Sequence, residues 1–477
     1  MSENNHKPLH IAMFPWFAFG HITSFLHLAN KLADQGHRIS FILPPKTQAQ
    51  MLSYNHHPHL ISFIPITLPP VDGLPTWAET TADVPATSRP LIMTAMDRTQ
   101  DMIESLLSSL NLDFIFFDFT EWIPGLARKY RVKSVFYATV YVVTVAYLTP
   151  QARNLPVNGL MEENLAGPPP GFPCPSIGLR AHEAQYMANA SGVKFGGEIS
   201  LLERAAIAFR ECDAMGIKSC REMEGPYCDY VIEHYGKPLL LAGPVVPKLP
   251  DSKLDEQLEA WLKSFSEGCI VYCALGSECF LKKDQFQELV LGLELTVRHS
   301  EFLQILILGY MRTIGMPFLA ALKLPIDCPT MESALPYGFT ERTKGRAIIH
   351  GGWVQQQLIL NHPSVGCFVT HCGAGSLSEG LVSHCQLVML PQAVDQFLNA
   401  RMMSQDLKVG VEVEEREGGL ITREAVRDAI LLVMQEGSAM GREVRENHAK
   451  MREFLVQGGV EDSYISRFVQ SLYDLRG

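Results

Sequence analysis

Three groups of residues in this 477-residue chain have side chains and spacing suited to chemistry. The apolar run Val365–Thr370 delivers His371, and the tight turn Cys372-Gly373-Ala374-Gly375-Ser376 follows, with a helix from about Leu377. A glycine turn that opens a helix can donate backbone amides to a phosphate. His371 adds a donor beside it. Glu379, one turn into the helix, can accept two ribose hydroxyls, and Asp395-Gln396, at the next crossover, can bind a polyol. The pattern is not G-x-G-x-x-G and carries no Gly-Lys-Ser/Thr, so it supports neither a dinucleotide fingerprint nor a P-loop.

The other two groups lie near the N-terminus. Gly20-His21 follows the first apolar run, and Asp118 ends the run DFIFF. Ligands of open α/β sheets bind beyond the carboxyl ends of strands. His21 is then either a loop histidine or a cleft-facing one, and Asp118 either caps the next helix or points to the same place. Together they can form a dyad in which the carboxylate orients the imidazole and the imidazole takes a proton.

Positioning these residues requires alternating strands and helices. The runs His10–Trp16, Arg38–Leu43, Asp113–Phe117, Ser134–Tyr137, Tyr230–Ile232 and Leu239–Leu241 read as strands. A helix after Gly20 buries Ile22, Phe25, Leu26, Ala29 and Ala33 and stops at Gly36. A Pro-rich break, Gly243–Pro250, is followed by a second set of runs: Cys269–Leu275, Ala347–His350, Val365–Thr370 and Leu387–Leu390. This alternation predicts parallel sheets flanked by helices. The expected domains are residues 1–243, a linker 244–256, residues 257–458, and a C-terminal helix in 459–477 that folds back on the first domain. The apolar stretch 297–314 prolongs what should be a short connection between the helix Phe286–Thr296 and the strand-like Pro317–Leu322.

Composition narrows the partners. The chain is 47% hydrophobic with a formal net charge of −11, which argues against disorder and against a nucleic-acid backbone as partner. Its 11 cysteines contain no C-x-x-C pair, and several sit in apolar runs (Cys269 and Cys273), as buried free thiols of a reducing compartment do. The longest membrane candidate, Ser134–Leu148, falls short of the roughly 20 residues a spanning helix needs. The N-terminus lacks the apolar stretch of a signal peptide. A cytoplasmic protein with no integral membrane segment is expected.

The segment Trp353–Gln396 resembles the plant secondary-product box of the family 1 UDP-sugar-dependent glycosyltransferases. The resemblance covers nearly the whole chain, through Gly20-His21, DFTEW and VYCALGS. The phrases HGGWVQQQLIL and FVTHCGAGSLSE are most similar to the branch that extends sugars already on flavonoid glycosides. It implies a GT-B architecture, two Rossmann-like α/β domains facing across a cleft, the first binding acceptor and the second UDP-sugar. It also implies that Trp353 stacks on uracil with Gln356 beside it, and that Glu379 holds the ribose. His371, Ser376, Ser277 and the backbone at Gly373 and Gly375 would hold the phosphates. Asp395, Gln396 and Thr139 would reach the donor sugar. His21 would be the base and Asp118 its partner, in an inverting displacement with no metal and no cofactor beyond the UDP-sugar co-substrate. The acceptor implied is a sugar hydroxyl of a flavonol or anthocyanidin 3-O-glycoside, the enzyme acting as a monomer. A terpenoid or other small aglycone, or a non-catalytic UDP-sugar-binding protein, are the alternatives. The family usually has Trp-Asn where Ala374-Gly375 stand here, which leaves the donor sugar open among glucose, xylose and rhamnose.

Overall fold

Short apolar runs become strands and amphipathic runs become helices in the computed structural model, which describes residues 7–156, 160–244, 253–276, 279–296, 315–435 and 437–477. Ser277, most of the linker and the stretch 297–314 lie outside the described residues. The chain divides into two compact units. One comprises Met1–Pro173, Gln185–Val245 and Gly458–Gly477, the other Cys174–Ala184 and Val246–Gln457.

In the first unit β1 (His10–Phe14), β2 (Arg38–Leu43), β3 (Ile61–Pro65), β4 (Phe114–Phe117), β5 (Lys133–Ala138), β6 (Ala214–Ile217) and β7 (Leu239–Leu241) form one sheet of order β3-β2-β1-β4-β5-β6-β7. Every pairing is parallel. All four side chains of β4 are fully buried, because helices cover both faces of such a sheet. The helix Phe19–Asp34 buries the five residues of its predicted face. Gly36 ends it at a φ of +85°, a conformation glycine adopts without a Cβ clash. The C-terminal helix Val460–Arg476 packs Tyr464 so closely on Gly243 that a Cβ there would lie 2.6 Å from it. The Tyr464 hydroxyl donates to Glu222 at 2.6 Å.

In the second unit β8 (Ile270–Ala274), β9 (Phe318–Ala321), β10 (Ala347–His350), β11 (Val365–Thr370), β12 (Gln386–Met389) and β13 (Gly410–Glu412) form a second parallel sheet, of order β10-β9-β8-β11-β12-β13. Val271, Cys273, Phe318, Val369 and Val388 belong to its core. The segment Cys174–Ala184 groups with this unit although it precedes the linker. An ion-pair network ties it there. Arg401, almost wholly buried, forks onto Glu183 at 2.7 and 2.9 Å and pairs with Glu412. Arg180 closes the network through Glu412 and Glu415. A buried guanidinium needs such partners to offset its lost hydration.

The structure corrects the strand reading at several places. The run Tyr230–Ile232 lies inside the helix Arg221–Tyr235, which kinks at Glu224 just before Pro226. Three apolar residues cannot separate a strand from a buried helical turn. β3, β6 and β13 were not anticipated from the sequence. Ser134–Leu148 divides into β5 and the helix Val142–Tyr147. No helix among the described residues is long and apolar enough to cross a membrane.

Candidate functional site

Each sheet has a switch point, where the chain leaves one strand toward opposite edges, and ligands of open α/β sheets bind beyond it. In the first unit it lies between β1 and β4, with β5 next. Register places Phe14 opposite Phe117, and Phe117 opposite Phe136, so the carboxyl ends of the three strands lie side by side. The segments leaving those ends supply His21, Asp118 and Thr139.

His21 is not a loop histidine. The helix begins at Phe19, so Gly20 and His21 occupy its first turn. Nδ1 of His21 lies 2.7 Å from Oδ2 of Asp118. The other carboxylate oxygen accepts the backbone N–H of Trp16 and of Phe119, each at 2.7 Å. The Asp118 side chain is 2% exposed and that of His21 21%. Asp118 therefore takes the second of its two readings: it faces His21, and the next helix, Ile123–Tyr130, is preceded by Trp122 with no side-chain cap. A carboxylate can only accept, so Nδ1 carries the hydrogen and Nε2 the lone pair. Thr139 Oγ1 stands 3.0 Å from Nδ1 and 3.4 Å from Nε2.

In the second unit the switch point lies between β8 and β11. His371 leaves β11 with its ring against two glycines. A Cβ on Gly276 would lie 2.8 Å from that ring, and one on Gly373 2.6 Å from its Nε2. Burial pushes the His371 pKa down to about 4, so the imidazole is neutral near pH 7. Gly373 is the N-cap of the helix Ala374–Val382, which starts three residues earlier than the sequence suggested. Gly375 and Ser376 thus lie in its first turn, where backbone N–H groups lack helical partners. A Cβ on Gly375 would meet nothing within 4 Å.

Gln356, Ser376 and Glu379 come together. The Gln356 amide donates to Glu379 at 2.8 Å and to Ser376 Oγ at 3.2 Å, and its carbonyl accepts from the Tyr272 hydroxyl at 3.2 Å. Gln357 donates to the other Glu379 oxygen at 3.2 Å. Trp353 sits on the segment between β10 and the helix Gln356–Leu360 and is 75% exposed, an open aromatic face not hydrogen-bonded to the others. Asp395 and Gln396 begin the helix Asp395–Arg401. The Gln396 side-chain carbonyl accepts the N–H groups of Gln392 and Ala393 at 3.0 and 3.1 Å, so its NH2 is the end that can donate. Asp395 accepts from Asn399 at 3.0 Å. Sequence reasoning missed Tyr272, Gly276, Gln357 and Asn399. Only Asn399 carried a signal, its i,i+4 spacing from Asp395.

Residues 339–441 match the family model described as UDP-glucoronosyl and UDP-glucosyl transferase. The chain is 53% identical over 469 residues, 98% of this chain and 99% of the relative, to a cyanidin 3-O-galactoside 2''-O-xylosyltransferase of Actinidia chinensis var. chinensis. It is 50% identical, over 98% of each chain, to an anthocyanidin 3-O-glucoside 2''-O-glucosyltransferase of Ipomoea nil. Among solved structures, a Glycyrrhiza uralensis glycosyltransferase complexed with glycyrrhetinic acid 3-O-monoglucuronide superposes with a TM-score of 0.78 at 21% identity, covering 98% of this chain and 96% of that one. Two Rossmann-like parallel-sheet units, with polar side chains at each switch point, define a sugar-nucleotide transferase of GT-B fold. The chain belongs to the plant family 1 UDP-sugar-dependent glycosyltransferases, in the same branch as the Actinidia and Ipomoea enzymes. Its substrates are accordingly a UDP-sugar and a small-molecule acceptor.

Proposed function

We propose that the enzyme transfers a sugar from a UDP-sugar, with inversion, onto a sugar hydroxyl of a flavonol or anthocyanidin 3-O-glycoside. The observation that carries this is the His21–Asp118 pair at 2.7 Å, which arms a base in a chain alike over 98% of its length to two enzymes named for such acceptors. Nε2 of His21 removes the acceptor proton. The oxygen forms the new bond at the anomeric carbon as the bond to UDP breaks. Asp118 holds the imidazole in the required tautomer and stabilises the cation that forms.

The second unit would hold the donor. Trp353 offers its face to uracil and the Glu379 carboxylate its oxygens to the ribose. Neutral His371 and the first-turn amides at Gly375 and Ser376 would face the diphosphate, with the helix dipole favouring the charge that develops on it. Ser277 is assigned there from sequence alone. Asp395 and the Gln396 amide would meet the sugar hydroxyls, and Thr139 is assigned to the sugar from the sequence resemblance alone. None of these steps calls for a metal ion, and transfer is expected to continue in excess chelator. The reading extends to a cytoplasmic monomer, in keeping with 11 free cysteines, and light scattering with a fluorescent fusion would check both. The test is product detection by mass spectrometry with UDP-glucose, UDP-xylose and UDP-rhamnose against a panel of flavonoid 3-O-glucosides and terpenoid aglycones. A sugar added to the glucosides supports the reading. UDP binding with no product from any pair would mark a non-catalytic binder.

A further inference from the structure

A buried amide joins two parts of the donor-side constellation. Asn399 is fully buried, one helical turn beyond Asp395. Its side-chain nitrogen donates to the Cys372 carbonyl at 2.9 Å and to Asp395 Oδ2 at 3.0 Å. An amide nitrogen carries two hydrogens, and both are committed here.

Both segments it grips have unusual backbones. Cys372, between His371 and Gly373, has a φ of +68°. Val394, immediately before Asp395, has a φ of +43° with ψ at −113°. Left-handed φ is uncommon for residues with a side chain and an outlier for a β-branched one. Such conformations persist where surrounding contacts over-determine them, and they cluster at functional sites. Asn399 bonds the strained Cys372 directly and bonds the side chain borne just after the strained Val394. The far end of the same short helix is fixed by Arg401 on Glu183.

We propose that Asn399 is a positioning residue for sugar transfer. It sets the Asp395 carboxylate at one fixed spacing from the turn that carries His371, Gly373 and Gly375, so the sugar and diphosphate ends of the donor are held in one register. It acts through Asp395 and the Cys372 carbonyl. The inference rests on the UDP-sugar reading above.

The test uses the full-length enzyme with Asn399→Ala, Asn399→Leu, Asp395→Ala and the double variant Asp395→Ala/Asn399→Ala. It reads UDP affinity by calorimetry, and kcat and KM for UDP-glucose and UDP-xylose with a flavonoid 3-O-glucoside. Misplacing a reacting group by an ångström can cost about 100-fold, so a loss of up to that size in kcat/KM is expected for Asn399→Ala. The ratio of kcat/KM between the two sugars should change while affinity for UDP alone is largely kept. Leucine fills the volume without the donor, so Asn399→Leu should not restore the ratio. In the Asp395→Ala background, Asn399→Ala should cost clearly less than it does alone. Native selectivity in Asn399→Leu, or losses that multiply fully in the double variant, would overturn the proposal. Asn399→Gln, an amide at the wrong reach, decides the same point if the alanine variant does not fold, since native selectivity there overturns it too. If the parent enzyme binds UDP but transfers nothing, the functional reading has failed instead. The coupling is then read from binding of UDP-glucose relative to UDP, and an unchanged ratio in Asn399→Leu overturns it.

Discussion

His21 and Asp118 stand 97 residues apart in sequence and 2.7 Å apart in space, joined through Nδ1 and Oδ2. The first strand's crossover brings one and the end of β4 the other, and the parallel pairing of β1 with β4 makes them neighbours. The unprotonated Nε2 is the consequence that matters, since it carries the lone pair a base needs.

Removing that base should remove the chemistry and spare donor binding. A general base supplies typically about 10²–10⁴-fold, so His21→Ala should lower kcat by about that factor with UDP affinity unchanged in calorimetry. Asp118→Asn should also be severe. Its NH2 would oppose either the Trp16 and Phe119 N–H groups or Nδ1–H, and relieving the second clash moves the hydrogen to Nε2. Near-normal turnover in either variant would remove the dyad from the mechanism.

Trp353 exposes a large aromatic face on the segment before the helix Gln356–Leu360. Stacking of a base on such a ring is worth about 1–3 kcal/mol. Trp353→Ala should raise donor KM by the corresponding factor and leave acceptor KM alone. An unchanged donor KM would take Trp353 out of the uracil site.

Gly276 and Gly373 both closely approach the His371 ring, and neither position has space for a Cβ. Gly373 has an ordinary extended backbone, with φ −62° and ψ 141°, so Gly373→Ala strains only the packing on His371. Donor affinity should fall while the melting temperature shifts little. Retained UDP affinity would show that the ring position does not matter for the phosphates.

His448 offers a pH prediction. It is 2% exposed on the helix Ala439–Val456, and Nε2 stands 3.3 Å from the Gly380 carbonyl. Burial pushes its pKa down to about 4, against 6.5 unfolded. Between those values the unfolded chain binds more protons than the folded one, so stability falls as pH drops from 6.5 to 4. At about 1.4 kcal/mol per unit the loss reaches a few kcal/mol. Melting temperature against pH should show this slope, and His448→Leu should lessen it, the similarly lowered His371 and His27 keeping the remainder. Equal slopes in the two proteins would assign the acid sensitivity elsewhere.

Much of this was legible in the sequence, for identifiable reasons. Strand β11, the glycine turn and Glu379 could be placed because a fully apolar run, two glycines and a helix start are local signals. The early start of the helix at Ala374 was not, because Gly373 caps it through its backbone and leaves no side-chain signature. Spacing alone does not join the dyad, because strand order is what makes β1 and β4 neighbours. β6 was invisible because Ala214–Ile217 is short and interrupted by Gly216, which the Tyr137 ring approaches to 3.0 Å of a would-be Cβ. The role of Arg401 in holding Cys174–Ala184 was equally hidden, since a buried ion pair between residues 218 apart leaves no periodic trace.

The central claim is an inverting transfer to a sugar already on a flavonoid, driven by a His21 base. The most direct measurement is the anomeric configuration of the product, read from proton NMR coupling constants after reaction of UDP-α-D-glucose or UDP-α-D-xylose with a flavonoid 3-O-glucoside. The account predicts a new β-linked sugar on the glucosyl group, absent with His21→Ala. An α-linked product, or a β-linked product formed equally well without His21, would contradict it.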